Sequence, residues 1–247
     1  VLGRGGACVC ANAHVARAGT TITACYRPAV RRALAIIVSL GVSLGVAACA
    51  RSKPARHLEP DAVRITGDAR MRTDTVGDGA FASTATFVLV DAENTAADGA
   101  YVTLGGDLTD AAGATVGALK PQSLWVPAHE ARTFALVDRE RVARPTSTSA
   151  RIKVHGALIP DEPPRASVTD LHSFDDRGKT VVQAYLVNAA DRAGQVMAVG
   201  SFHDAHGQPM TRPFQMIELA AHARRVVQFV GPEGSTRGTI FVGDVIY

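Results

Sequence analysis

The chain has 247 residues, 47% of them apolar, which is enough to bury the core of one or two domains and excludes disorder throughout. Its net charge of +3 is confined to the start: five of the 26 basic residues and none of the 23 acidic ones precede Cys49, leaving 21 basic against 23 acidic groups after it. That balance, with only 5% aromatic residues, excludes a surface built to neutralise phosphates or stack bases, and no nucleic-acid partner is expected.

Residues 1–48 read as a leader. Its first 26 residues form a longer preamble than a secretory signal carries, and are read as sequence upstream of the true start. Cys8 and Cys10 have the wrong spacing for the common zinc or redox pairs. Arg27, Arg31 and Arg32 then precede an uncharged, small-residue segment, 33–48, of the length of a signal-peptide core. A membrane-spanning helix needs about 20 apolar residues, and Arg51 and Lys53 close this segment too early.

The segment ends in Val46-Ala47-Ala48-Cys49. This resembles the lipobox of bacterial lipoprotein precursors: a branched apolar residue, two small residues, then cysteine. The resemblance implies cleavage before Cys49, diacylation of its thiol and usually a third chain on the new amino group. Two or more acyl chains hold stably, at about 0.8 kcal/mol per buried methylene, where one holds marginally. Ala50 stands where an aspartate marks inner-membrane retention in enterobacterial relatives, so the outer membrane is the expected destination rather than the inner one. The alternatives are an ordinary signal peptide cut at an Ala-x-Ala-like site beside an incidental cysteine, and a permanent helix.

After Cys49 the polar, proline-broken stretch to residue 61 reads as a tether holding a body off the bilayer. The body has no cysteine, so neither disulfides nor zinc-thiolate sites can brace it. It repeats itself. Asn94, Asp110 and Gly113 match Asn188, Asp204 and Gly207 at an offset of 94; His129 and Arg132 match His222 and Arg225 at 93; Ile152 and Val154 match Ile240 and Val242 at 88. The offset shrinks where loops are expected, as it does between two copies of one unit. Strands are predicted over 84–91, 101–109 and 122–126, around Phe134 and Leu136, and where Ala150, Ile152 and Val154 alternate with Arg151, Lys153 and His155. Val227 and Phe229 take the corresponding places in the second copy. The fold class expected is therefore all-β: two tandem immunoglobulin-like β-sandwich domains over 62–158 and 165–247, joined by a stiff proline-rich linker at 159–164.

Within the copies, Gly106-Asp107-Leu108-Thr109-Asp110 and Gly200-Ser201-Phe202-His203-Asp204 keep an apolar third position and a closing aspartate before a glycine turn. They resemble the FxLYD type of small immunoglobulin-like domain found in bacterial secreted proteins and lipoproteins, without its leading phenylalanine or its tyrosine. The resemblance implies a sandwich and no reaction.

Candidate chemistry is sparse. Asp110 and Asp204 open D-x-x-G turns, where the carboxylate accepts backbone N–H bonds and Gly supplies a positive φ, so both read as hairpin devices. His203, His206 and Asp204 are written like metal ligands, but their counterparts Thr109, Ala112 and Asp110 include only one. His129 and His222 read as polar turn tips. The sequence carries no G-x-S-x-G, H-E-x-x-H or phosphate-binding P-loop, and neither an enzymatic activity nor a cofactor is expected. Trp125 is the single tryptophan, either buried or an anchor of an interaction surface. The expected role is that of a membrane-anchored envelope lipoprotein acting as a protein-binding or scaffolding module, its partner an envelope protein. The alternatives are binding of a cell-wall glycan or small ligand between the copies, and an enzyme whose site is assembled from scattered residues.

Overall fold

Strands dominate because the chain alternates apolar and polar side chains over short runs broken by Gly, Asp and Pro, and offers no long 3.6-residue stripe for a helix. The computed structural model describes residues 55–77 and 79–247; Cys49, its leader and the first part of the expected tether lie outside them. Among the described residues there are fourteen strands and two single-turn 3-10 segments.

The N-terminal half contains β1 (Arg56–His57), β2 (Val63–Val76), β3 (Ser83–Asn94), β4 (Ala100–Thr109), β5 (Thr115–Val126), β6 (Ala131–Val137) and β7 (Ser149–Ile159). They form two antiparallel sheets, β1-β7-β4-β5 and β2-β3-β6. The C-terminal half contains β8 (Ala166–Asp176), β9 (Lys179–Asn188), β10 (Gly194–His203), β11 (Pro209–Thr211), β12 (Phe214–Leu219), β13 (Arg224–Glu233) and β14 (Arg237–Ile246). Here β14 flanks β10 on one side, β11 and β12 flank it on the other, and β8-β9-β13 makes the second sheet. The pairing scheme of the first half thus recurs in the second, with β5 replaced by two short strands. No strand pairing described joins one half to the other.

Each half is an all-β sandwich whose core lies between its two sheets. In the first, Val88 and Val90 of β3 and Phe134 and Leu136 of β6 meet Val102, Leu104, Leu108 and Leu124 of β4 and β5. In the second, Val182, Ala184, Leu186, Val227 and Phe229 meet Val196, Ala198, Phe202, Ile217 and Ile240. Burying each such large side chain is worth about 1.5–3 kcal/mol against leaving it exposed. The glycines opening the two resembling segments both serve close packing: a Cβ at Gly106 would collide with the carbonyl oxygen of Arg151, and one at Gly200 would lie 2.8 Å from the Phe229 ring.

Asn94 and Asn188, matched in the sequence, do the same work in the two halves. Each is fully buried at the end of its strand. Asn94 Nδ2 donates to the carbonyls of Asp98, Val126 and Pro127, and its Oδ1 accepts from Ala96 N at 3.0 Å. Asn188 Nδ2 donates to the carbonyls of Arg192 and Ala220, and its Oδ1 accepts from Ala190 N at 3.0 Å. A buried amide that satisfies its own polar atoms and three or more backbone groups fixes the strand-to-loop exit.

The chain enters the body through β1. Arg56 and His57 pair with Ile159 and Leu158 of β7, and Leu58 N donates to Ala157 O at 2.9 Å. Pro54–Tyr247 is one compact unit. All described strand pairs and both core clusters close within it, the condition for a segment that folds by itself.

Candidate functional site

The two halves meet along a seam, and most of the unusual chemistry of the body lies there. The outer faces of β10 and β14 turn toward the outer faces of β3 and β6. Val199 and Phe241 belong to the same buried cluster as the core of the N-terminal half. Beside them runs a polar chain. The Ser201 hydroxyl contacts Thr133 Oγ1 at 2.6 Å; Thr133 donates to Asp91 Oδ1 at 2.5 Å; Asp91 Oδ2 faces His203 Nε2 at 3.0 Å. Because Thr133 gives its only proton to Asp91, the proton between the two hydroxyls comes from Ser201. Arg70 approaches Asp204 at 3.5 Å, and Arg72 Nη1 donates to Met210 O at 2.9 Å. Burial and the Asp244 carboxylate hold the Tyr101 phenol above its ordinary pKa, a further contact of β4 with β14.

Trp125 sits half-buried on β5, its ring 5.5 Å from that of Tyr101 and inclined at 59°. Gly99 makes the room, since a Cβ there would overlap the indole edge. The indole lines a cleft of about 360 Å³ between the halves, together with Pro127, Arg132, Leu171 and Phe241. Arg132 lies over the Phe241 ring at 4.9 Å and pairs with Glu130 at 2.7 Å; burial lowers its pKa against the opposing pull of Glu130. Its Nε is buried without a partner among the described residues. The cleft thus presents an aromatic edge beside a stacked cation.

The aspartates that open the two turns take the same geometry. Asp110 Oδ1 accepts from Ala112 N and Ala114 N, Asp204 Oδ1 from His206 N and Gln208 N, each at 2.9 Å. Gly113 and Gly207 both stand at φ 79°. Backbone donation from Gln208 and His206, together with the cations nearby, holds the Asp204 carboxyl below its usual range. His203 is turned away to Asp91, so His203, Asp204 and His206 are committed to different partners, and no group of three metal-ligating side chains is present among the described residues. His129 and His222 occupy matching turns with φ of 57° and 56°, and His222 Nε2 lies 3.0 Å from the exposed Asp191.

Sequence reasoning missed several of the residues that shape the seam: Asp91, Thr133, Ser201, Arg72 and Arg212. Arg212 joins β11 to β12 and lines a larger cleft of about 690 Å³ with Arg72, Phe87, Leu89, Val137 and Phe214. Its Nε and Nη2 are buried and have no hydrogen-bond partner among the described residues. Desolvation lowers its pKa to about 10. Asp138 was missed as well: its fully buried carboxylate accepts from Glu140 N and from Arg144 Nε and Nη2, and pins the turn after β6. No protein-family model matches this sequence, and no curated protein matches it either.

Proposed function

We propose that this chain is a bacterial envelope lipoprotein, anchored through acylated Cys49 at the outer membrane, whose body binds an envelope protein and so acts as a recognition or scaffolding module. The lipobox-like Val46-Ala47-Ala48-Cys49 supports the anchor. A single observation supports the binding role: the outer face of the β8-β9-β13 sheet carries exposed apolar side chains on either side of a polar row, His172, Gln183 and Gln228. By register, Phe174, Val181 and Val230 lie side by side across the three strands, with Tyr185 and Val226 in a row farther along. Phe174 is 50% exposed, Val226 47% and Val230 53%. The equivalent face of the N-terminal half is the one on which the C-terminal half sits. Exposed apolar side chains interleaved with polar ones and flanked by charge, here Arg224 with Asp170 and Lys179 near Glu233, suit a protein-binding surface.

The test joins the two claims. Palmitate label enters the wild-type chain and not Cys49→Ala. Phe174→Asp with Val230→Asp leaves the melting temperature nearly unchanged, because both side chains already meet solvent, and abolishes capture of a cross-linked envelope protein. Undiminished capture by that pair, or no reproducible capture by the wild type, overturns the binding role; labelling of Cys49→Ala overturns the anchor.

A second reading, glycan or small-ligand binding, draws on the Trp125 cleft, where an indole edge stands beside Arg132 and Glu130. Under it, Trp125→Ala releases the protein from sedimented cell-wall polymer and the Phe174 pair does not.

A further inference from the structure

The loop between β11 and β12 is held from both sides: Thr211 pairs with Phe202, and Pro213 O accepts from Gly200 N at 2.9 Å. Arg212 is therefore fixed at its backbone in the wall of the 690 Å³ cleft, a volume within the range of small-molecule sites. Several other arginines of the body have acceptors. Arg144 lays Nε and Nη2 along the two oxygens of Asp138 at 2.9 and 3.4 Å, the side-on fork suited to a carboxylate. Arg72 bonds Met210 O and Arg132 bonds Glu130. Arg212 keeps the same two nitrogens, Nε and Nη2, buried and without an acceptor among the described residues. An unpaired buried cation is costly enough that a site retaining one has a use for it.

The rest of the wall says what accompanies the anion. Phe81, Phe87, Leu89, Val137, Met210 and Phe214 supply apolar surface, with Phe81 79% and Phe214 58% exposed at the cleft. Its described charged residues are Arg72, Arg212 and Asp74, one net positive charge. We propose that this cleft binds a monoanionic amphiphile, a carboxylate on an aliphatic chain of the free fatty acid class, with Arg212 pairing the head group and Phe81, Phe87 and Phe214 holding the chain. Among the described residues of the lining one cation is unmatched, which suits a monoanion over a dianion, and the fork suits a planar carboxylate. Nε and Nη2 are buried, so the proposal requires the guanidinium to turn about its side-chain torsions toward the cleft that Arg212 lines. This site is on a different face from Phe174 and Val230 and stands independently of the protein-binding reading.

Calorimetric titration of the 54–247 unit with decanoate, decanol and decylammonium below their aggregation concentrations tests it. Decanoate binds one to one, at least tenfold tighter than decanol, and decylammonium does not bind. Arg212→Met reduces decanoate to the affinity of decanol, Arg212→Lys falls between, and Phe81→Ser weakens decanoate and decanol alike. Arg212→Met also melts at a higher temperature than the wild type, so loss of binding is not loss of fold. Equal affinities for decanoate and decanol, decanoate binding unchanged by Arg212→Met, or no decanoate binding up to millimolar concentration overturns the proposal. So does a fork already occupied by a co-purifying protein rather than a small acid.

Discussion

The outer face of β3 and the outer face of β9 hold the same place in two copies of one sandwich, and they have been put to opposite uses. On β3 the face carries Phe87, Leu89 and Asp91; on β9 the matching residues are Val181, Gln183 and Tyr185. Across the sheet, Thr133 and Val137 of β6 match Val226 and Val230 of β13. Leu89 is 1% exposed under the C-terminal half, whereas Val230 is half in solvent. The inward faces, by contrast, keep the same character in both copies. The two halves are thus alike where each packs on itself and differ on the faces that meet something else.

The sharpest way to break this comparison is to truncate matched positions. Leu89→Ala in the 54–247 unit should cost about 2–5 kcal/mol by urea denaturation, because it empties a buried site that the seam cannot close. Gln183→Ala should stay within about 0.5 kcal/mol. Similar losses at both would mean that the two faces are not covered differently. Next in size, Asn94→Ala and Asn188→Ala should each lose about 1–3 kcal/mol, and by similar amounts, since each strands the same set of backbone groups. A large inequality would show that the two exits are not the same device.

The smallest effect is a pH dependence. Asp204 has a folded-state pKa below its unfolded value of about 3.9, so the folded state holds fewer protons than the unfolded one in that range. Its contribution is present above the unfolded value and is lost as pH falls through the folded one. Asp204→Asn keeps the turn's side-chain acceptor and removes the charge, so wild-type stability should fall more steeply than the variant's between about pH 5 and pH 2. Parallel acid curves would remove the charge from the account of this turn.

Strands in the middle of a sheet were legible from their apolar side chains. β4 and β7 alternate, β3 shows as the apolar run 87–90 with Val88, Leu89 and Val90 all buried, and the Asn and Asp pairs stood out because local backbone chemistry demands them. β2 and β8 were not seen. Both are edge strands, paired on one side only, and between them just Val63 and Ala166 are buried, so neither carries an apolar period. β5 was seen only from Gln122 onward, because its first half carries Gly117, Lys120 and Pro121. Trp125 announced itself by type. The polar chain at the seam did not: Thr133 and Ser201 are 68 positions apart, Asp91 and His203 are 112, and each looks like an ordinary surface residue until the halves are brought together. Arg212 is the extreme case, since its interest lies in what it fails to touch.

The burial of Leu89 beneath the C-terminal half has a practical corollary. The prolines at 160–164 look like the natural place to divide the molecule for expression, yet a truncation there strips the cover from a greasy sheet face. The isolated first copy would keep its own interior and still tend to aggregate, whereas the second, whose corresponding face already tolerates water, would be the better-behaved fragment.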